Sequence, residues 1–164
     1  MQLKEVREEL NKFGKYVIKQ ARTNLTKNKK NSSKKLYNSL NYSIVENNDS
    51  VSVIFEMEDY GKYQDLGVSG TKKKYNTPYK FTNKMPPAKA FSQWVIRKGL
   101  KGVRDKEGKF IPRKSMQYLL ARSIFKYGIK PSMFFTKPFE SAYDRLPPEL
   151  QKKFGIDLEN IIFE

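Results

Sequence analysis

Residues 36–58 read LYNSLNYSIVENNDSVSVIFEME. Leu36, Asn38, Leu40, Tyr42 and Ile44 alternate with Tyr37, Ser39, Asn41 and Ser43. Further on, Val51, Val53, Phe55 and Met57 alternate with Ser52, Ile54, Glu56 and Glu58. A period of two predicts strands over 36–45 and 51–58. Between them, Glu46-Asn47-Asn48-Asp49-Ser50 is turn chemistry, because Asn and Asp tolerate positive φ. One face is apolar and one polar, so the hairpin is antiparallel and covered on one side.

The cover lies upstream. Leu3, Val6, Leu10, Phe13, Val17, Ala21 and Leu25 recur at spacings of three and four, which predicts one long amphipathic helix over 3–25. Gly14 interrupts it at a cost of about 1 kcal/mol. Residues 26–35 hold no apolar side chain and read as a mobile loop.

Downstream of the hairpin the period returns to helical. Asp59–Gly67 reads as a short helix with Tyr60, Tyr63 and Leu66 on one face, stopped by Gly67. Residues 68–85 show no period and read as an exposed loop rich in Lys and Tyr. Pro86-Pro87 opens a helix to Lys98, with Ala90, Phe91, Trp94, Val95 and Lys98 inward and Trp94 in the core. Residues 99–114 form a basic loop with a small hairpin around Lys106-Glu107-Gly108. A further helix spans about 114–127, with Met116, Leu119, Leu120, Ile124 and Tyr127 buried. Met133–Thr136 reads as a short strand, Pro138 starts a helix to Leu146, and Pro147-Pro148 starts a short last one. The expected fold is therefore α+β: a small antiparallel sheet, a long N-terminal helix, several further helices packed on it, and extended loops. Residues 1–146 are expected to form one domain and 147–164 a C-terminal extension or arm. The acidic, apolar tail supplies an interface arm through Ile156, Leu158, Ile161, Ile162 and Phe163.

Composition excludes much chemistry. The 164 residues contain no Cys and no His, which removes disulfides, thiol nucleophiles, His or Cys metal sites and His-based catalysis. No apolar run approaches the ~20 residues of a membrane span, and the charged start Met1–Glu5 is no signal peptide. A soluble protein made in a cytoplasm, with no membrane partner, is expected. Glu56 and Glu58 share a strand face and could hold Mg²⁺, as in a metal nuclease. The polar side of a half-exposed strand normally carries such residues and is the favoured explanation, and no other motif supports a metal. No enzyme activity, cofactor or metal is expected.

The chain carries 33 Lys or Arg against 17 Asp or Glu, a net charge of +16. Twenty-six of the cations are Lys, a point charge without the fork with which Arg reads guanine. The charge therefore fits a phosphate backbone or an acidic protein better than base reading. The plain alternative is a solvated surface. Candidate inter-subunit or DNA-facing residues are Lys72, Lys73, Lys74 and Lys80 in one loop and Lys101, Arg104, Lys106 and Lys109 in the next. Tyr60, Tyr63, Tyr75, Tyr79 and Phe81 interleave with lysines, a pattern shared by single-strand binders and by protein interfaces.

In order, several segments resemble bacteriophage tail-completion and head–tail joining proteins. Ser33-Lys34-Lys35-Leu36-Tyr37-Asn38-Ser39-Leu40 is similar to that family's entry to its first strand. Tyr60-Gly61-Lys62-Tyr63-Gln64-Asp65-Leu66-Gly67 is similar to its Tyr-Ala-x-Tyr-x-Glu-Phe-Gly segment, with Asp65 for Glu. Met85–Val95, Tyr127–Pro131 and Phe134-Phe135-Thr136-Lys137-Pro138-Phe139 follow in the family's order. The likeness covers roughly residues 5–146; the loop 99–114 and the tail 147–164 have no counterpart. It implies a virion structural protein, in the host cytoplasm during assembly. It would form a cyclic homo-oligomer in the neck, twelve subunits rather than six, between a portal or adaptor ring and tail proteins. Genomic DNA would pass through its channel without sequence specificity. The alternative is a non-specific basic nucleic-acid-binding protein.

Overall fold

A computed structural model describes residues 3–46, 51–100 and 103–153. It is α+β, as expected. The order is α1 (Leu3–Lys27), α2 (Lys35–Ser39), β1 (Asn41–Glu46), β2 (Val51–Glu56), α3 (Gly61–Leu66), a 3₁₀ turn (Ala88–Phe91), α4 (Ser92–Arg97), α5 (Arg113–Tyr127), α6 (Thr136–Tyr143) and α7 (Pro148–Lys153). The chain divides into two compact units. The first comprises the residues up to Asp65 and those from Met133 on; the second is Leu66–Ser132.

The first unit is built on α1. Phe13, Val17, Ile18, Ala21 and Leu25 form its buried stripe. A two-stranded sheet alone is marginal in water. Here α1 packs on both strands and on α6. The strands pair antiparallel with Tyr42 opposite Phe55 and Ile44 opposite Val53. Tyr42 and Phe55 pack on the core, while Val45 and Ile54, on the other face, are exposed. Gly14, costly within a helix, has a packing reason: a Cβ there would run into the Tyr42 ring. Phe55 meets Phe13, Phe135 and Phe139 edge-on, and Phe13 meets Phe139 likewise, at centroid separations between 5.3 and 5.9 Å. Such pairs add about 0.5–1.5 kcal/mol each beyond area burial. α7 joins this core through Leu150, so the extension expected from 147 begins inside it. Its remainder, residues 154–164, lies outside the described residues.

Two expectations for this unit are corrected. Residues 36–40 are not strand: Lys35–Ser39 is helical and β1 starts at Asn41. Leu36 and Leu40 are four apart, so a helical turn buries both as well as alternation would. Arg22 fixes that turn, donating to the carbonyls of Tyr37 (3.2 Å) and Leu40 (2.8 Å). Phe134-Phe135 is a turn leading into α6, not a strand, and both rings are buried. In α3 the buried residues of this unit are Gly61 and Asp65, whereas Tyr60 and Tyr63 are exposed. Gly61 abuts Leu36 and Met57, so the close approach is on the glycine side.

α1 ends in a Schellman motif. Lys30 N–H donates to Leu25 O (2.9 Å) and Lys29 N–H to Thr26 O (3.0 Å), with Lys29 at φ 53°. The polar loop thus begins with defined turns, though it buries little.

The second unit has few buried apolar residues: Val68, Val95 and Ala121. Backbone hydrogen bonds hold it instead. Val68 and Ile129 exchange a pair at 2.9 and 2.8 Å. Ser69 N–H donates to Tyr79 O (2.8 Å), and Ser69 O accepts from Phe81 N–H (2.9 Å). The Ser69 hydroxyl donates to Tyr75 O and accepts from Tyr75 N–H. Segment 67–70 is therefore buried, against the expectation of an exposed loop over 68–85. The expected small hairpin near Lys106 is present, with Arg104 opposite Phe110. α5 packs on the 3₁₀ turn and on α4 with Gln117 and Ala121 buried. Leu119 and Tyr127, expected inside, are exposed, and so is Trp94. A small Ala121 lets the packed segments approach, and the bulky residues are left on the opposite side.

Candidate functional site

Asp65 is a buried carboxylate, 1% exposed, and such a group demands partners. It finds them at the start of α6. Oδ1 accepts from the backbone N–H of Phe135 (2.8 Å) and of Thr136 (3.3 Å), and Oδ2 accepts from the Thr136 hydroxyl. Its own carbonyl accepts from Met133 N–H (3.0 Å). The first N–H groups of a helix have no partner within it and favour negative charge. Asp65 thus acts as an N-cap supplied from 70 residues away in the chain. These bonds tie the end of α3 to the start of α6.

The remaining acids of interest are also accounted for. Glu58 pairs with Lys35 at 2.8 Å, and Glu56 is exposed at the end of β2. Among the described residues no three carboxylates cluster to hold a metal. No helix among them is long and apolar enough to cross a membrane. An open depression on α1, lined by Lys19, Arg22, Thr23, Thr26, Lys27 and Tyr37, is basic, but Arg22 is engaged with backbone carbonyls.

The charge is unevenly divided. The second unit holds 17 Lys or Arg and two acids, Asp105 and Glu107, a net +15. The first holds 16 and 15, a net +1. Nearly the whole charge of the chain therefore lies in residues 66–132. Asp105 serves its own turn, accepting at Oδ1 from the N–H groups of Glu107 (3.1 Å) and Lys109 (2.8 Å).

Within this unit the Lys72-Lys73-Lys74 tract docks on the C-terminal end of α5. Thr71 N–H donates to Phe125 O (2.9 Å), and Lys72 and Lys73 N–H donate to Lys126 O (2.8 and 3.2 Å). Gly128, at φ 72°, leaves α5 there. A Cβ on it would collide with Val68 O, and one on Gly70 with Lys126 O, so both positions need glycine. The docking places three lysines where the helix dipole is negative. It also brings Lys72 toward Lys126, and the Arg122 guanidinium, burial and Lys72 together push the Lys126 ammonium below its usual pKa. Lys74 Nζ donates to Gly70 O (3.1 Å) and the Lys73 ammonium lies 5.5 Å from the Tyr75 ring centroid.

Of the residues expected from sequence, Lys72, Lys73, Lys74, Lys80, Arg104, Lys106 and Lys109 are all exposed. Arg104 lies 3.7 Å over the Phe110 ring. Lys101 and the arm residues Ile156, Leu158, Ile161, Ile162 and Phe163 lie outside the described residues. Sequence reasoning missed Arg122, Lys126 and Lys114. These share an i, i+4 row with exposed Tyr118 on α5. The signal was available: Gln117, Ala121 and Gly128 are small or adaptable residues at close-packing spacing, and the row beside them is cationic.

Set against known protein families, curated proteins and solved structures, the chain matches none.

Proposed function

We propose that the chain is a non-catalytic structural subunit of a bacteriophage neck ring, between portal and tail, around the channel that DNA passes. The observation that carries this reading is the Asp65 cap. Two of the segments that resemble head–tail joining proteins, Tyr60–Gly67 and Phe134–Phe139, are far apart in sequence. They meet in one joint, where the acid of the first caps the helix of the second. A shared joint gives a physical reason for the two motifs to occur together. The compact first unit is then a scaffold, and the basic second unit the part that meets neighbouring rings or DNA. Identical head-to-tail contacts close into a ring when the rotation fits, and a portal-matched ring would hold twelve copies.

Quantitative composition of purified particles, with native mass of the protein alone and mixed with portal, tests the reading. A stoichiometric particle component and a cyclic oligomer are expected. Absence from particles contradicts it. The second reading, a free non-specific nucleic-acid-binding protein, is favoured by the net +15 of the second unit and would then lead.

A further inference from the structure

We infer that Lys72, Arg122 and Lys126, continued along α5 by Tyr118 and Lys114, form a face that binds the phosphates of duplex DNA without reading bases. Each part of the argument is local to the second unit. The Lys72–Lys74 tract is clamped to the end of α5 by three backbone hydrogen bonds, from Thr71 to Phe125 O and from Lys72 and Lys73 to Lys126 O. Its charge is thus fixed in place rather than carried on a loose loop. Arg122 and Lys114 are exposed, and Lys126 is half-buried.

Among the described residues, no ion pair to Lys72, Arg122 or Lys126 forms within the second unit. The unit's two acids sit on the small hairpin, where Asp105 is committed to its own turn. Like charges held together by a rigid backbone repel, and the lowered Lys126 pKa is the mark of that repulsion. A fold that keeps such a cluster gains when an anion arrives, because each phosphate bound relieves it. The row from Lys114 to Lys126 runs about 18 Å along the helix at 1.5 Å per residue. That matches about five base pairs of duplex at ~3.4 Å each. A ridge of cations inclined to the axis of a rigid helix suits a stiff, regularly charged rod better than a flexible acidic peptide. Lysines dominate and no Asn, Gln or paired Arg is offered on the row, so base reading is not built in.

This inference rests on the reading that the basic unit meets DNA, not on the place in a neck. The test is fluorescence anisotropy of a short labelled duplex of arbitrary sequence, titrated between about 50 and 200 mM salt. The full chain is compared with K72Q/R122Q/K126Q and with K4Q/K15Q/K137Q, which removes the same charge from exposed positions of the first unit. The face variant should lose about tenfold or more in affinity, with its salt slope lowered by about two to three. The control should change little, and K72R/K126R should retain binding. Equal losses in face and control variants would show diffuse charge and overturn the inference. So would displacement of DNA by polyglutamate at equal charge concentration. Thermal melts of each variant, unchanged from the parent, are expected and separate lost binding from lost folding. A chain that binds DNA through this face yet is absent from particles leaves the inference standing and removes the neck reading. A chain present in particles whose DNA affinity ignores the three substitutions does the reverse.

Discussion

The two units of this chain are stabilised in different ways. The first buries three phenylalanines almost completely, Phe134, Phe135 and Phe139, around a 25-residue helix. The ion pairs Arg7–Glu46, Lys12–Glu9 and Lys35–Glu58 lie on its surface. The second has almost no apolar core, is held by backbone hydrogen bonds through Val68–Thr71, and carries nearly all the net charge. Apolar burial supplies most of the stability of a small protein. The unit with the core can therefore act as a scaffold, while the unit without it carries the self-repulsion of a cationic surface, which we propose polyanions relieve.

Each unit can be attacked at its own support, and the largest loss is expected in the first. Phe135→Ala removes a fully buried ring from the aromatic cluster and should cost about 3–5 kcal/mol in chemical denaturation. Against a typical total of about 5–15 kcal/mol that is close to unfolding. A loss below about 1 kcal/mol would mean the cluster is not the support. In the second unit the equivalent lesion is Gly128→Ala. It forces a Cβ into Val68 O at a left-handed φ, and about 2–3 kcal/mol is expected. Hydrogen exchange should accelerate at 68–81 and 125–129 while α1 keeps its protection.

Asp65→Ala tests the joint within the first unit. Three donors at the start of α6 lose their acceptor, and about 2 kcal/mol should go. Unchanged stability would show that water replaces the carboxylate.

A smaller effect separates the units by sign. Lys35, hydrogen-bonded and paired to Glu58, has its pKa raised from 10.5. Its stabilising contribution is complete below 10.5 and is lost as pH rises through the higher folded value. Lys126, crowded first by Arg122, then by burial and Lys72, is lowered from 10.5. Its contribution is destabilising below the lowered folded value and is relieved as pH rises from there to 10.5. Denaturation of Lys35→Met and Lys126→Met between pH 8 and 11 should therefore show differences from the parent chain that shrink with rising pH and have opposite signs. The same sign for both would contradict the contrast in electrostatics.

How far each unit was legible in the sequence follows from the same contrast. α1 was readable because seven apolar residues at spacings of three and four leave one solution, and β1 and β2 because alternation does. Leu36 and Leu40 were ambiguous, since a separation of four fits both periods. In the second unit the hydrophobic signal misled. Leu119, Tyr127 and Trp94 are large and apolar yet exposed, while Gln117, Ala121, Ser69 and Gly70 are inside. Backbone hydrogen bonds, which leave no side-chain period, hold segment 67–81 together. The candidate lysines were recognised one loop at a time. Their union with Arg122 and Lys126 depends on Gly70 and Gly128 letting two backbones touch, and no pattern of charge reveals that.

If the basic second unit, and not the scaffold, meets polyanion, hydrogen exchange of the whole chain with and without duplex DNA must show it peptide by peptide. Protection is predicted over 68–81 and 113–129, with α1, β1, β2 and α6 unchanged. Protection concentrated on α1, or spread evenly over both units, would contradict it.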